Sequence, residues 1–332
     1  MLRGRPCRSP RCGSSPVCSV ATSASPTPSS AWRPSGRSGV SLTHLTLAVA
    51  AASHRAHRAV RAVILGPYPG TVPTWLRSGR SGRLEGMDNA TTTALVTGAN
   101  KGIGKEIARQ LAASGVRVLL GARDAERGRQ AVAELNADGD GAADVRLLVL
   151  DVTDPSGVAK AAAEVERLDI LVNNAGMMAE GSTAPDADLD AFRRTFETNL
   201  FGVLTVTNAF LPALRRSPAP RIVNISSGTG SLAWSADPAR EFALAAGSGA
   251  AYRSSKTALN ALTLFYAQTL APEGIKVNAL APGLRRTDLN ERAAASDGDP
   301  AEAAAGAVRL ALLPDDGPTG AFLSWDGTPV PW

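Results

Sequence analysis

Residues 87–332 of this 332-residue chain contain neither cysteine nor histidine, because all three residues of each type lie nearer the N-terminus. A zinc site built from these ligands, a thiol nucleophile, a disulfide and a Ser-His-Asp triad are therefore excluded for this region, and we predict no metal site. Tyrosine is also scarce, with three residues in the whole chain. No apolar run reaches the length of a membrane span, so we predict no transmembrane helix and no membrane partner.

Acidic residues are almost absent before Met87, and this explains the net charge of +5. Residues 1–86 hold 12 arginines, no lysine and one acid, Glu85. Of the 35 basic and 30 acidic residues in the chain, 23 and 29 lie in residues 87–332, which gives that region a net charge of about −6. The basic excess belongs to the first part alone, so we expect no nucleic-acid partner.

Residues 1–86 are rich in Arg, Ser, Pro, Ala and Gly, without a period that would bury a face, so we expect a disordered extension. An organelle transit peptide has this composition, whereas a secretory signal fits less well because the apolar run Leu45–Ala52 begins far into the chain. We favour translated upstream sequence with the start at Met87, because a strand and a glycine-rich turn follow closely. The expected location is the cytoplasm, or an organelle if residues 1–86 are a transit peptide.

Short apolar runs alternate with amphipathic stretches of helical length through residues 87–332. Strands that are apolar on both faces and separated by helices predict a parallel sheet covered on both sides. Right-handed crossovers then predict one doubly wound, Rossmann-type α/β domain with ligands at the carboxyl ends of the strands. The predicted strands are Thr93–Thr97, Val116–Gly121, Val145–Leu150, Ile170–Asn173, Arg221–Ser226 and Ile275–Leu280. The predicted helices are Ile103–Ser114, Ala125–Ala137, Pro155–Arg167, Leu189–Leu214 and Ala251–Leu270.

A glycine-rich segment lies between the first predicted strand and the first predicted helix. Its glycines, Gly98, Gly102 and Gly104, follow the spacing G-x-x-x-G-x-G. Glycines permit a tight turn and a close approach of backbone N–H groups to a pyrophosphate, and the helix N-terminus adds positive potential. Many glycine clusters are plain turns, but the strand-turn-helix context predicts a dinucleotide-binding site.

Tyr252 and Lys256 are four residues apart in a predicted helix and therefore share one face. A free tyrosine has a pKa of about 10, and a neighbouring cation favours the phenolate. We therefore expect Lys256 to lower the pKa of Tyr252 toward the range useful for proton transfer. An ordinary amphipathic tyrosine beside a solvated lysine is the alternative, and the scarcity of tyrosine favours catalysis.

The ordered set of motifs resembles the short-chain dehydrogenase/reductase family over roughly residues 92–327. Asn173-Asn174-Ala175-Gly176, Ser226-Ser227, Tyr252-x-x-x-Lys256 and Pro282-Gly283 stand in that family's order, and Asn100-Lys101-Gly102 is similar to its carbonyl reductase branch. The resemblance implies the catalytic residues Asn199, Ser227, Tyr252 and Lys256, with Ser226 as the alternative to Ser227. It implies cofactor contacts at Gly98, Asn100, Lys101, Gly102, Ile103, Gly104, Arg123, Asp151, Val152, Asn173, Ala175, Gly176, Tyr252, Lys256, Pro282, Gly283 and Thr287.

In these roles Ser227 would hydrogen-bond the substrate carbonyl, and Asn199 would hold a water that connects Lys256 to solvent. An acid after the second strand favours NAD, whereas positive charge there favours the 2′-phosphate of NADP. Arg123 and Lys101 resemble the family's NADP-binding pair, so we expect NADP(H), with NAD(H) second because Asp124 adjoins Arg123.

The resemblance implies reduction of a small-molecule ketone or aldehyde with NADPH, or the reverse oxidation of an alcohol. The alternatives are an NAD-dependent alcohol dehydrogenase of the same family and a catalytically silent NADP-binding sensor. Residues 232–250 lengthen the interval between Ser227 and Tyr252 beyond the family's usual spacing, and we expect them to border the substrate pocket. Family members usually pair their long helices, so a homodimer or homotetramer is expected.

Overall fold

The structure is a computed structural model that describes residues 92–138, 143–240, 242 and 246–332. The predicted extension, residues 1–86, and the proposed start at Met87 lie outside the described residues.

Within the described residues, seven parallel strands form one sheet in the order β3-β2-β1-β4-β5-β6-β7. Helices lie on both faces, so the predicted doubly wound α/β architecture is confirmed. The strands are β1 (Thr93–Thr97), β2 (Arg117–Ala122), β3 (Val145–Val149), β4 (Ile170–Asn173), β5 (Arg221–Ile225), β6 (Lys276–Ala281) and β7 (Phe322–Ser324). The last strand was not predicted, because three residues are too few to show a period.

The described helices differ from the predicted ones in the length of one helix, in the interruption of another and in three helices that were not predicted. They are α1 (Gly102–Ala113), α2 (Ala125–Asp138), α3 (Pro155–Ala163), α4 (Leu189–Phe196), α5 (Gly202–Leu214), α6 (Leu232–Ala236), α7 (Ala250–Leu270), α8 (Glu291–Ala294) and α9 (Pro300–Ala311). The prediction for α3 is too long, because the helix ends in i→i+3 bonds at Glu164 and Val165. The stretch predicted as one helix over Leu189–Leu214 is interrupted by a π turn, Glu197–Phe201. Helices α6, α8 and α9 were not predicted.

The strands of the sheet face a separate apolar cluster on each side. In β1 the fully buried side chain of Val96 joins a cluster with α1, α2 and α9, whereas that of Leu95 joins a cluster with α3, α5 and α7. Alternate residues of a strand point to opposite faces, so an apolar strand needs a helix layer on both sides.

The strand order reverses between β1 and β4, since β1 pairs with β2 on one side and with β4 on the other. A crevice forms at such a switch point, outside the carboxyl ends of the strands. The turn after β1 and the segment after β4 lie at this crevice, and these are the segments that the glycine and asparagine motifs occupy.

Candidate active site

The glycine turn after β1 requires glycine at each motif position. Gly98 and Gly102 have φ of +62° and +55°, a region that favours glycine. A Cβ added at Gly98 would lie 2.9 Å from the Cα of Ala175, and one added at Gly104 would lie 2.3 Å from Nδ2 of Asn174. The predicted turn is therefore confirmed as a close approach between the ends of β1 and β4.

Helix α1 begins at the end of this turn, and its first turn suits an anionic group. Lys101 at the N-cap makes no side-chain capping bond, and the first turn carries no acidic residue. The first N–H groups of a helix have no intrahelical partner, and together with the helix dipole they favour a phosphate. The turn therefore fits the pyrophosphate of a dinucleotide.

Asn174 holds the turn in place, although it was not among the predicted site residues. Its Nδ2 donates to the carbonyl oxygens of Thr97 at 2.9 Å and Gly98 at 3.1 Å. The Thr97 hydroxyl accepts from the backbone N–H groups of Asn174 and Ala175, each at 3.0 Å. The motif contains Asn174, but only the contact shows which of its two asparagines reaches the turn.

Asn173 points into the protein instead. Its side chain is 2% exposed and donates to the Thr207 hydroxyl at 3.1 Å and to Oδ1 of Asn224 at 2.8 Å. Asn224 donates in turn to the hydroxyl of Thr263 at 2.8 Å. The side chain thus joins β4 to β5 and α5, so the predicted cofactor contact at Asn173 depends on its backbone alone.

The two charged residues after β2, Arg123 and Asp124, have different environments. Arg123 is exposed directly after the strand. Oδ1 of Asp124 accepts from the N–H groups of Glu126 and Arg127, each at 3.0 Å, and so caps the start of α2. The bond from the Arg127 N–H, the largest cause, holds the pKa of Asp124 below its usual value. Asp124, the acid that made NAD(H) the second choice of cofactor, is therefore hydrogen-bonded to the first turn of α2.

Lys101 has a partner that the sequence analysis did not identify. Its Nζ lies 2.7 Å from Oδ2 of Asp288, in a pair whose side chains are 59% and 72% exposed. A Cβ added at Gly102 would lie 3.3 Å from Cγ2 of Thr287, so Thr287 packs on the glycine turn. The segment after β6 thus reaches the turn after β1, as the predicted contacts at these residues require.

The other predicted cofactor residues follow the strand ends, with differing side-chain environments. Oδ1 of Asp151, after β3, accepts from both the N–H and the hydroxyl of Thr153, at 2.9 Å and 2.7 Å. The side chain of Ile103 packs against the core of the α1 face, which leaves its backbone for a ligand. The remaining predicted contacts lie on the turns after β1, β3, β4 and β6: Asn100, Val152, Ala175, Gly176, Pro282 and Gly283.

The two serines after β5 face different ways. Ser226 is 1% exposed, and its hydroxyl donates to Oδ1 of Asn260 at 2.6 Å. Ser227 is half-buried, its hydroxyl lies 2.9 Å from that of Thr229, and it accepts the Thr229 N–H at 3.2 Å. The Ser227 hydroxyl also acts on the phenol of Tyr252, whose pKa it lowers. The geometry therefore favours Ser227 over the alternative Ser226.

Burial dominates the electrostatics of Tyr252. It raises the pKa of the phenol to about 12, and the hydrogen bond from Ser227 opposes this rise. Burial also lowers the pKa of Lys256 to about 8, since the side chain is only 4% exposed. Each shift favours the neutral form of its group. The expectation that the pKa of Tyr252 lies below its usual value is therefore wrong for the chain by itself, because burial raises it.

Lys256 lies beside Tyr252 and is held by the end of β5. Its Nζ is 5.7 Å from the centre of the Tyr252 ring and donates to the carbonyl oxygen of Ile225 at 2.8 Å. A Cβ added at Gly176 would lie 3.5 Å from the same Nζ, so the segment after β4 passes close by. The predicted pair thus meets on one helix face at the crevice.

Asn199 lies in the π turn and is fully buried. Its Nδ2 donates to the Met177 carbonyl and to the Ser255 hydroxyl, both at 2.9 Å, and its Oδ1 accepts the Met177 N–H at 2.8 Å. These bonds tie the segment after β4 to α7. The water that the resemblance assigns to Asn199 stays a prediction.

Aromatic residues from the interval between Ser227 and Tyr252 border the turn after β5. We call this turn, residues 227–230, the serine turn. The rings of Trp234 and Phe242 stack with centroids 6.0 Å apart. A Cβ added at Gly228 would lie 3.0 Å from Cζ3 of Trp234 and 3.3 Å from Cζ of Phe242. Trp234 and Phe242, both within the predicted segment 232–250, therefore reach the residue after Ser227, as side chains bordering the substrate pocket must.

The C-terminal tail, residues 330–332, holds this aromatic segment, and no pattern in the sequence indicates the contact. The Ser231 hydroxyl donates to the Pro331 carbonyl at 2.6 Å, and the Ala233 N–H donates to the Trp332 carbonyl at 3.4 Å. Trp234 packs on the cluster that contains the buried Val330. These contacts span about a hundred residues, so no local pattern announces them.

Over the part of the chain that the structure describes, no helix is both long and apolar enough to cross a membrane. Those residues also contain no group of three or more His, Cys, Asp or Glu side chains arranged to hold a metal ion.

Comparison with known proteins places this geometry in a family. Residues 92–298 match the family described as short chain dehydrogenase. Salutaridine reductase of Papaver bracteatum is 34% identical over 296 residues, which cover 69% of this chain and 93% of that protein. (−)-Isopiperitenone reductase of Mentha piperita is 35% identical over 310 residues, which cover 70% of this chain and 96% of that protein.

A solved structure agrees with these relatives. NADPH-bound carbonyl reductase from chicken fatty liver matches with a TM-score of 0.61 and 29% identity, covering 72% of this chain and 98% of that chain. The chain belongs to the short-chain dehydrogenase family. The predicted class is therefore confirmed: the protein is an oxidoreductase that interconverts C=O and CH–OH groups.

Proposed function

We propose that the protein reduces a ketone or aldehyde with NADPH, and oxidises the corresponding alcohol in reverse. The observation that carries this proposal is the meeting of Ser227, Tyr252 and Lys256 at the crevice beside the glycine turn. Salutaridine reductase and isopiperitenone reductase are similar in sequence, and an NADPH-bound carbonyl reductase is similar in fold. All three are named as reductases, and the third is named for the carbonyl group.

The protein's own residues orient the carbonyl and supply the proton. Ser227 donates a hydrogen bond to the carbonyl oxygen, and Tyr252 gives its phenolic proton to that oxygen as charge develops there. A phenol whose pKa is about 12 is fully protonated at neutral pH and so is ready to donate. The buried ammonium of Lys256 stabilises the phenolate left behind. NADPH, when bound, supplies the hydride that reaches the carbonyl carbon.

NADP(H) is the proposed cofactor in preference to NAD(H). Arg123 is exposed at the end of β2, where the adenosine ribose lies in such folds. Asp124 caps α2 and is not free to bind a ribose diol. Lys101, at the start of α1, adds a second cation near the same edge. The pyrophosphate would lie on the glycine turn and the first N–H groups of α1.

We propose a cyclic, largely apolar ketone as the substrate class. Trp234 and Phe242 place two aromatic rings against Gly228, directly after the serine that would hold the carbonyl. Flat apolar surfaces of this kind favour a ring over a charged chain. Two of the relatives, named for salutaridine and isopiperitenone, support this choice.

We propose a homodimer formed through α5 and α7. Phe201, Leu204 and Phe265 are 47%, 37% and 58% exposed, and a hydrogen bond from Tyr266 to Asn208 joins the two helices. Exposed apolar side chains grouped on one face are typical of a protein interface. Light scattering should show a dimer that Phe265→Glu converts to a monomer, and a monomeric wild type would overturn this proposal.

The proposed location is the cytoplasm, or an organelle if residues 1–86 act as a transit peptide. Fluorescent fusions with and without those residues distinguish the two, because only a working transit peptide would change the distribution.

Cofactor oxidation by the full chain tests the central proposal. NADPH and NADH are compared across cyclic ketones, open-chain ketones, aldehydes and quinones, by the loss of absorbance of the reduced nicotinamide. We expect turnover with NADPH, fastest for cyclic ketones. Faster turnover with NADH would favour the NAD-dependent alternative, and tight NADPH binding without turnover of any carbonyl would favour a sensor.

A further inference from the structure

Thr229 contacts the proposed catalytic serine through two groups. Its backbone N–H donates to Oγ of Ser227 at 3.2 Å, and its hydroxyl oxygen lies 2.9 Å from the same atom. The first contact caps the short 3-10 turn Gly228–Gly230, as serine commonly does. The second contact is not needed for a cap, and it is the one that the family motifs leave unassigned.

The direction of the hydroxyl contact follows from the capacity of a serine. A serine hydroxyl has one proton to donate and two lone pairs to accept. In the proposed function Ser227 gives that one proton, in a hydrogen bond, to the oxygen of the substrate carbonyl. Its single proton is therefore engaged, so the hydroxyl of Thr229 must be the donor in the contact between the two. Both lone pairs of Ser227 are then filled by Thr229.

We propose that Thr229 is a positioning residue that makes Ser227 an obligatory hydrogen-bond donor, aimed at the oxygen of the substrate. This inference rests on the proposed function. With both lone pairs occupied, Ser227 cannot accept a hydrogen bond from an alcohol, a water or Tyr252, and its O–H is directed to the site. Donation by Thr229 also polarises that O–H and strengthens the bond that it gives.

The neighbouring Thr257 provides a matched control. Its hydroxyl donates to the Gly230 carbonyl at 3.0 Å, so it holds the same turn without contacting Ser227. Thr229→Val and Thr257→Val remove the same hydroxyl and keep the β-branched shape and the backbone N–H. If the variants lose activity because the turn is looser, kcat should fall in both. If the direction of the Ser227 proton is what matters, kcat should fall in Thr229→Val alone.

Steady-state kinetics of the full chain test the inference, with NADPH affinity measured by fluorescence titration. A net hydrogen bond corresponds to a factor of about three to ten, so Thr229→Val should lower kcat by that amount without changing the NADPH Kd. Thr229→Ser restores a hydroxyl and should return kcat to within about twofold of wild type. Thr257→Val should stay within about twofold as well.

Three results would overturn the inference: an unchanged kcat in Thr229→Val, an equal loss in Thr257→Val, or no recovery in Thr229→Ser. The proposed function fails in a different way. If wild type turns over no carbonyl with NADPH, both fall together. If wild type is active and loses its activity in Tyr252→Phe, while Thr229→Val has no effect, only the role of Thr229 is wrong.

Discussion

The glycine turn after β1 and the serine turn after β5 lie at the same edge of the sheet, but different parts of the chain hold them. In the glycine turn, Gly98 and Gly102 have positive φ, and the helix that follows starts within the turn itself. Asn174 adds two bonds to this turn from the segment after β4. The serine turn is held from outside, because Asn260 and Thr257 of α7 both donate to the carbonyl of Gly230.

Both turns have distant partners, and the difference that matters is that only the glycine turn also has a backbone signature of its own. The bonds at the serine turn reach about 30 residues to α7 and 100 residues to the tail. A turn built from its own backbone conformation can be recognised from residue spacing, since glycine is needed where φ is positive. A turn held by distant side chains has no such local signature, so its geometry is seen only in the folded chain.

The largest expected effect is a loss of activity on substitution of Tyr252, which lies between the two turns where cofactor and substrate would meet. Tyr252→Phe removes the proton donor, and general acid catalysis contributes at least about 100-fold, so kcat should fall by that factor. NADPH binding should be unchanged. Tyr266→Phe is the matched control, because that phenol bonds Asn208 at the surface. Retention of more than about a fifth of the activity would remove the assigned role from Tyr252.

Gly104→Ala tests the glycine turn directly. The added Cβ would meet Nδ2 of Asn174 at 2.3 Å, so the asparagine must release Thr97 and Gly98. We expect the NADPH Kd to rise by about 30-fold, roughly the cost of two lost hydrogen bonds. Gly181→Ala is the control, since its Cβ would make ordinary contact at 3.7 Å. Unchanged NADPH affinity in Gly104→Ala would show that the turn adapts.

Lys256 should give the stability a characteristic pH dependence. Its pKa is about 8 in the folded chain and 10.5 in an unfolded one, so the unfolded chain binds more protons between these values. Stability should therefore rise with pH in that window, by about 2 kcal/mol from pH 8 to 9.5 relative to Lys256→Met. Urea unfolding of both proteins measures the difference. Parallel pH profiles would mean that Lys256 is solvated.

Arg123→Asp should reverse the preference for cofactor. An aspartate at the end of β2 repels a 2′-phosphate and can bind a ribose diol. We expect the ratio of kcat/KM for NADPH to that for NADH to fall about tenfold or more, which is about 1.4 kcal/mol. Arg193→Asp, on α4 in an exposed pair with Asp190, controls for net charge. An unchanged ratio would move the phosphate site away from Arg123.

The smallest effect is expected at the tail, and it tests whether the serine turn is held remotely. Ser231→Ala removes the bond to Pro331 and the cap on Trp234, which together stabilise the fold by about 1 kcal/mol. The Tm should fall by a few degrees. Ser254→Ala, at an exposed position of α7, should leave the Tm unchanged. An unchanged Tm in Ser231→Ala would show that the contact between the tail and the serine turn does not stabilise the fold.

Much of the fold was predictable because buried parallel strands are apolar runs. The predicted start of β2 was Val116, and the strand begins at Arg117. Helix α9 was missed although its start carries a signal that the sequence does show, since Asp299 caps it and Pro300 occupies its first turn. The π turn could not be predicted, since Asn199 is held there by Met177 and Ser255 from other elements.

The candidate site also contains residues that spacing predicts and residues that only tertiary contacts distinguish. Spacing and residue type identified Gly98, Gly102, Gly104, Tyr252 and Lys256, because backbone conformation and helix geometry act over a few residues. Spacing did not show which asparagine holds the glycine turn, which serine faces the crevice, or in which direction the pKa of Tyr252 moves. Those outcomes depend on burial and on partners that only the folded chain brings together.

By itself, then, the sequence determined the layered α/β fold, the glycine turn and the tyrosine-lysine pair. Each depends on a pattern over a few residues: apolar runs, glycine spacing, or two side chains one helical turn apart. The tertiary structure alone decided that Ser227 and Asn174 face the site while Ser226 and Asn173 are buried. It also decided that Thr229, α7 and the tail hold the serine turn. A neighbouring pair of identical residues can be told apart only by what surrounds each of them.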